Sequence, residues 1–258
     1  SGIVLDPATN TYLAVSDDRG AGADGTPRFY EVSIDLGDGS LDEGDVSLLG
    51  VTALTLPGGA TFDALSPDPE GIAIGANGQL FISSERDLLG NPAIYLFGKD
   101  GVLGGALPVD TKFLPNPAGT NGVRNNLGFE SLTISPDQTT LWTATESALV
   151  QDGAPATTEL GSAARIIRYD LETGLPVAEF VYEVDQIANE PVPADAFADS
   201  GLVELLALDD QGTLLALERS FSTGAADRGY TGKLYLVDTR GATNVIGENG
   251  LPVSEDDG

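Results

Sequence analysis

Short apolar runs separated by polar turns fill this chain, and the alternation inside the runs has the period of a β-strand. The stretch PEGIAIGANGQLFISSER (69–86) sets down an apolar strand, an Asn-Gly turn and a second apolar strand. The same order returns in FESLTISPDQTTLWTATES (129–147), in VELLALDDQGTLLALERS (203–220) and, at the start, in SGIVLDPATNTYLAVSDDR (1–19). The turns GANGQ, SPDQT, DDQGT and DPATN are hairpin signals. A third strand, often with Tyr or Phe, follows each hairpin, at 28–36, 93–101, 165–174 and 233–241. A fourth follows in three of the copies, at 46–56, 106–114 and 176–185. The repeated unit is therefore a four-stranded antiparallel meander.

Unit starts near 1, 70, 130 and 204 give steps of 69, 60 and 74 residues. A minimal propeller blade needs only about 40–45, and the excess falls in loops such as 147–164 and 186–201. Repeated twisted sheets of one polarity must stack on their neighbours to bury both faces, which predicts an all-β propeller of four-stranded blades. A β-sandwich is the alternative, and repetition at this length argues against it. At least four units are visible within one domain spanning 1–258. The last lacks a clear fourth strand, since TNVIGENGLPVSEDDG is short and polar. The pattern predicts a ring of five or six blades and a chain that lacks terminal segments of it. The Ala-rich stretch 194–201 is too short to count on as a helix.

Composition narrows the chemistry. The chain holds 40 acidic and 12 basic residues, a formal charge of −28. That charge repels nucleic acid and disfavours anionic membrane surfaces. No apolar run reaches the length of a membrane span. Cys, Met and His are all absent. That excludes disulfides, thiolate sites, Cys nucleophiles, His-bearing triads and His-rich zinc sites. Acid/base work falls to Asp, Glu, Lys, Tyr or water, and any metal is a hard cation held by oxygen, with Ca²⁺ first in line. An acidic chain without oxidisable sulfur, opening abruptly and without an initiator Met, fits a trimmed extracytoplasmic protein. Trp142 sits in an inner-strand pattern and reads as core. The Gly-rich GAGADG (20–25) matches no phosphate loop and reads as a solvated turn.

The carboxylates recur with the repeat. Glu70 opens one hairpin and Glu85 closes it 15 residues on; Glu130 and Glu146 lie 16 apart, Glu204 and Glu218 14 apart. In the first unit Asp17 and Asp18 take the closing place and Ser1 lies near the opening one. Antiparallel strands bring both ends of such a span together opposite the turn, so the acids of all units gather at one end of a ring. Arg19, Arg86 and Arg219 directly follow closing acids, and Arg124 precedes Glu130. Carboxylates mixed with guanidinium groups suit Ca²⁺ and an oxyanion such as phosphate. The same acids could equally cap strand ends or bond the backbone of the next blade.

At these residues the chain resembles the phytase-like, or esterase-like, propeller family. The likeness runs in order through SGIVLDPATNTYLAVSDDR, DPEGIA, LFISSER, NNLGFESLTISPDQTTLWTATESAL, RIIRYDLETG, ELLALDDQGTLLALERSF and KLYLVDTRGATNV. Members carry a leader peptide and a further closing unit that this sequence does not show. The resemblance implies a secreted Ca²⁺-dependent phosphoric-ester hydrolase acting on a small phosphoester or other anionic ligand. Under it, Glu70, Glu130, Glu204 and Arg124 are expected as catalytic groups. Asp17, Glu85, Glu146 and Glu218 are expected to hold Ca²⁺, and Arg19, Arg86 and Arg219 to hold the substrate anion. Two other functions stay open: a non-catalytic extracellular binding or surface-structure propeller, and a Ca²⁺-dependent carboxylesterase or lactonase.

Overall fold

The computed structural model describes residues 2–20 and 25–251. Ser1, the central part of the 20–25 turn and the end of the acidic tail lie outside the described residues. Three sheets have four strands and one has three, and within each the strands follow chain order. The first blade is β1 (Ile3–Asp6), β2 (Thr11–Val15), β3 (Arg28–Ile34) and β4 (Val46–Ala53). The second is β5 (Pro69–Ile74), β6 (Leu80–Ser84), β7 (Ala93–Phe97) and β8 (Leu103–Leu107). The third is β9 (Phe129–Ile134), β10 (Thr140–Thr145), β11 (Ser162–Asp170) and β12 (Leu175–Val184). The fourth is β13 (Ala198–Ala207), β14 (Thr213–Ser222) and β15 (Tyr230–Asp238). This is a β-propeller arrangement of four described blades. All pairings inside the blades are antiparallel, as the hairpin turns require. The Ala-rich stretch at 194–201 supplies the start of β13, and no α-helix occurs among the described residues.

Each seam between blades is a hydrophobic core. Leu13, Val15 and Phe29 of the first blade meet Ile72, Leu80, Ile82 and Phe97 of the second. Ala73, Phe81 and Ile94 on the opposite face of the second meet Phe129, Leu132, Leu141 and Tyr169 of the third. Trp142, Ile166 and Phe180 of the third meet Leu202, Leu205 and Leu214 of the fourth. Residues one apart in a strand face opposite sides, so Ile72 and Ala73, or Leu141 and Trp142, serve two different seams. That is why these strands read as unbroken apolar runs. Trp142 is 2% exposed, a core residue as its pattern predicts.

A buried ion network pins the third blade. Arg165 grips Asp152 through two nitrogens at 2.6 and 2.9 Å and donates to Glu179 at 2.9 Å. Lys112, from the loop before the third blade, reaches both oxygens of Glu179 at 3.2 Å. The segment after β15 closes over it: Lys112 donates to the Ile246 carbonyl and Arg165 to that of Glu248 at 3.1 Å. Each charge is thus paired and capped, the condition for tolerating it inside.

A candidate anion and cation centre

The hairpin logic brings most of the predicted acids to one end of the blades, opposite the turns. Glu70 and Glu130 sit at irregularities of β5 and β9, where the register slips between Pro69 and Ile72 and between Phe129 and Ser131. A bulge turns the side chain out of the ordinary alternation, and both carboxylates enter the same buried cluster. Glu85 and Glu146 follow β6 and β10 directly and join them. Oxygens of Asp17, Asp68 and Glu70 lie within 4.8 Å of one another, as do those of Glu70, Glu85 and Glu130. Glu70 belongs to both groups. Glu130 carries the cluster on to Glu146, whose charge pushes Glu130 further up.

Electrostatics follow from this crowding. Burial pushes Glu70 up to about 9, with the charge of Glu130 adding to it. Burial pushes Glu130 likewise to about 9, with Glu146 and Glu85 adding repulsion. Glu146 rises to about 8 through burial, opposed by Arg219 and reinforced by Asp199. Glu85 reaches about 7, because burial outweighs the hydrogen bond it accepts from the Gly128 amide at 3.0 Å. Burial also raises Asp68, although Arg19 and Arg86 pull it down. Desolvation is the first cause throughout, so these groups gain most from a counter-charge placed among them.

The guanidinium groups divide into three kinds. Arg86 is fully engaged: Nε meets Asp68 at 2.8 Å, and its two terminal nitrogens donate to Asn125 and Asn126 at 2.6 Å. Arg19 meets the same Asp68 oxygen at 3.1 Å and donates to the Leu65 carbonyl at 3.0 Å. Arg219 is the open one, 53% exposed and touching Glu146 at 3.4 Å. Arg124 stands apart from these, donating to the carbonyls of Ala148, at 3.2 Å, and Gly153.

The fourth hairpin departs from the expected pattern. In β13 the residue at the irregularity is Val203, between Leu202 and Glu204. Glu204 lies one place further on, pairs with Leu217, and accepts the amides of Leu205, at 3.0 Å, and Leu132. Glu218 pairs with Leu202, one place early, and the next residue, Arg219, pairs with Gly201. With a side-chain period of two, one place reverses the face. Glu218 therefore points to β12, accepting from Tyr182 Oη at 2.8 Å and the Asp185 amide at 3.1 Å. Arg219 takes the closing place instead. The closing places around the arc are Asp17, Glu85, Glu146 and Arg219.

Asp68 and Asp199 were not foreseen. Asp68 had a readable signal: it lies two residues before Glu70 in DPEG, at the same strand end. Asp199 had none, since it lies in the stretch where a helical turn competed. Two glycines make room for the acids. A Cβ on Gly201 would stand 2.2 Å from Glu146 Cγ, and one on Gly128 would stand 2.4 Å from the Glu85 carbonyl oxygen.

A ring-like stack of antiparallel blades with buried acids at one end and an exposed arginine beside them defines a propeller with a candidate ion-binding face. The chain belongs to the family described as "Phytase-like: Esterase-like activity of phytase", whose model matches residues 1–255. A relative from Arthroderma benhamiae, described as an "Uncharacterized secreted protein", is 28% identical over 221 residues. That match covers 72% of this chain and 41% of the relative, so the chain spans less than half of the relative's length. Among solved structures, an endo-arabinase from Bacteroides thetaiotaomicron is similar with a TM-score of 0.47 at 13% identity, over 94% of this chain and 77% of that one. The Dos1 propeller is similar with a TM-score of 0.41 at 10% identity, over 88% of this chain and 45% of that one. No described helix is long and apolar enough to cross a membrane.

Proposed function

We propose that this is an extracytoplasmic Ca²⁺-dependent hydrolase of small phosphoric esters, working at the carboxylate end of the blades. The observation that carries the reading is the pair of acid groups sharing Glu70, with oxygens within 4.8 Å of one another. The donors are all oxygen, as Ca²⁺ requires. Asp17, Asp68, Glu70, Glu85 and Glu130 would hold the ion. Bound there, Ca²⁺ supplies Lewis-acid charge against the negative charge that builds on a phosphoryl group.

The chain's own residues divide the remaining tasks. Arg219 Nη atoms, exposed and lightly held by Glu146, bind a phosphate oxygen. Arg19 adds positive charge beside Asp17. Arg86 holds Asp68 and the 125–126 loop in place. Glu146, next to Arg219, holds or gives up a proton, and Glu130 stands beside it in the cluster. Secretion is inferred from the relative's description together with the acidic, sulfur-free composition.

A second reading is favoured by one specific feature. Glu85 takes the Gly128 amide of the next blade, and the Glu146 carbonyl takes the Leu202 amide of the next. These are fastenings, and they suit a non-catalytic propeller rigidified by Ca²⁺. Purified protein assayed on phytate, p-nitrophenyl phosphate and p-nitrophenyl acetate, in Ca²⁺ and in chelator, separates the readings. Phosphate release only with Ca²⁺, lost in Glu130→Gln, supports the hydrolase. Calorimetric Ca²⁺ binding without turnover of any substrate supports the second reading, and ester cleavage alone moves the activity to carboxylesters.

A further inference from the structure

The turn that leads into the third blade holds two amide side chains in one orientation, beside the acid cluster. It runs from Arg124 to Leu127 and is closed by the Leu127 amide, which donates to the Arg124 carbonyl at 3.1 Å. Asn126 has a φ of 62°, a left-handed conformation that Asn tolerates better than most residues. Asn125 has no positive φ, so backbone conformation accounts for Asn126 and not for Asn125. Arg86 fixes both side chains. Its two terminal nitrogens donate to Asn125 Oδ1 and Asn126 Oδ1 at 2.6 Å, while its Nε donates to Asp68 at 2.8 Å. A guanidinium has donors only, so each amide must give its oxygen to Arg86 and turn its NH₂ elsewhere. Both residues are exposed, and neither Nδ2 has a partner among the described residues.

A tether alone would be better served by aspartate. A carboxylate holds a guanidinium more strongly than an amide does. This chain uses that bond for Arg28 with Asp18 at 2.7 Å, for Arg165 with Asp152 at 2.6 Å and for Arg240 with Asp238 at 2.7 Å. What Asn adds over Asp is the NH₂ itself. Neutral donors also suit this place. A lysine or arginine here would pair with the acids and compete with a cation for them, whereas an amide N–H can bond an anion and leave the carboxylates free. The turn is fastened to the cluster a second time, through the Gly128 amide on Glu85 at 3.0 Å. It stands at the Asp68 end of the cluster, and Arg219 stands at the Glu146 end.

We propose that Asn125 and Asn126 are anion-binding residues, their Nδ2 groups donating to oxygens of a phosphoryl or phosphonate group held on Ca²⁺ at the Asp68 end of the cluster; this rests on Ca²⁺ occupying the cluster, as in the proposed function. Arg86 is then the positioning residue. It aims both amides through their oxygens and does not itself touch the anion, which agrees with its having no edge to spare.

Asn125→Asp and Asn126→Asp test this, because each keeps an oxygen for Arg86 and removes the outward donor. Asp also tolerates the left-handed conformation of residue 126. The probe is phenylphosphonate, whose C–P bond is not an ester and is not hydrolysed. Calorimetry reads its affinity for the Ca²⁺-loaded protein in about 0.1 M and about 1 M NaCl, where the screening length is about 10 Å and about 3 Å. Each variant is expected to bind it about tenfold more weakly or worse, by the same ratio at both salts. Ca²⁺ affinity, titrated separately, is expected to hold or rise, since no carboxylate is lost. Should the Asp variants fail to fold, Asn125→Ala with Asn126→Gly replaces them, glycine suiting the positive φ, and the same loss is expected. Ca²⁺-loaded wild type that binds no phenylphosphonate overturns the proposal. So does an affinity that neither variant alters, or a loss that vanishes in the higher salt, which would be charge repulsion at a distance. Phosphonate binding in a protein that turns over no ester would remove the hydrolase reading and support the pair. Turnover with phosphonate affinity unaltered in both variants would do the reverse.

Discussion

Glu85 Oε1 accepts the backbone N–H of Gly128 at 3.0 Å across the seam between the second and third blades. One bond thus serves the fold and orients an acid of the cluster. The two roles separate by substitution. Gly128→Ala puts a methyl 2.4 Å from the Glu85 carbonyl oxygen and 2.9 Å from its Cγ. Overpacking of this kind costs roughly 1–3 kcal/mol, so urea unfolding is expected to shift to lower midpoint. Glu85→Gln keeps an oxygen acceptor for Gly128 and removes a buried charge. It is expected to leave the chelated protein as stable as wild type or more so, while weakening Ca²⁺ binding in calorimetry. Equal loss of stability in both variants would mean that the charge of Glu85 is not at issue.

The acid cluster also sets a pH signature. Glu70, Glu130, Glu146 and Glu85 have folded values of about 9, 9, 8 and 7, each above the ordinary glutamate value of 4.5. The folded state therefore binds more protons than the unfolded state between these limits, and stability falls as pH rises. Their contribution is fully present below about pH 4.5 and is lost on rising through 7 to 9. Differential scanning calorimetry in chelator is expected to show Tm dropping from pH 6 to pH 9 (roughly neutral to mildly alkaline). Millimolar Ca²⁺ is expected to offset the drop, most at the alkaline end. A Tm that rises over this range without Ca²⁺ would contradict the buried, crowded cluster.

The fold was open to reading from hydrophobic order alone, because three of the four hairpins repeat turn, strand and acid in one register. Glu70, Glu85, Glu130 and Glu146 were brought together for the same reason. Glu204 and Glu218 show where spacing stops being informative. Their separation resembles that of the other pairs, yet each stands one residue from the equivalent place, and only the pairing of Leu202 with Glu218 reveals it. Arg124 was placed by proximity in sequence to Glu130, whereas a loop carries it to the Ala148 and Gly153 carbonyls. Asp199 became visible only when β13 extended back through the Ala-rich stretch.

That displacement predicts a clean contrast among conservative variants. Glu130→Gln is expected to weaken Ca²⁺ affinity at least tenfold, about 1.4 kcal/mol. Glu218→Gln keeps an oxygen acceptor for the Asp185 amide and turns its NH₂ toward Tyr182 Oη as a donor, and is expected to leave Ca²⁺ affinity unchanged within a factor of two or so. Isothermal titration of both at one pH makes the comparison. Equal weakening would place Glu218 with the cluster after all.

The ion network of Arg165, Asp152, Glu179 and Lys112 should bear on stability and leave Ca²⁺ binding alone. Arg165 is 0% exposed and serves two carboxylates and a carbonyl. Arg165→Met strands Asp152 and leaves Glu179 to Lys112. Breaking a buried pair in this way costs roughly 3–5 kcal/mol. Chemical denaturation is expected to show that loss, with calorimetric Ca²⁺ affinity of the folded variant unaltered. A variant of wild-type stability would mean that the segment over Glu179 relaxes to admit water.

Arg219 and Arg86 each directly follow a glutamate, yet their surroundings assign them different work. Every edge of Arg86 is used, by Asp68, Asn125 and Asn126. Arg219 is 53% exposed against 14% for Arg86, and its contact with Glu146 is long at 3.4 Å. An anion can therefore reach Arg219 without displacing a short bond. A charge-assisted hydrogen bond is worth about 1.5–3 kcal/mol, so Arg219→Ala should raise KM for a phosphoester about tenfold or more. Ca²⁺ affinity should hold or tighten, because a positive charge has left the neighbourhood of Glu146. Arg86→Ala should instead lower Tm and Ca²⁺ affinity together, since Asp68 loses its shortest partner and the 125–126 loop its tether. Steady-state kinetics with calorimetry on the two variants separates the roles. If Arg86→Ala raised KM alone while Arg219→Ala unsettled the fold, the assignment of the open arginine to substrate would have to be exchanged.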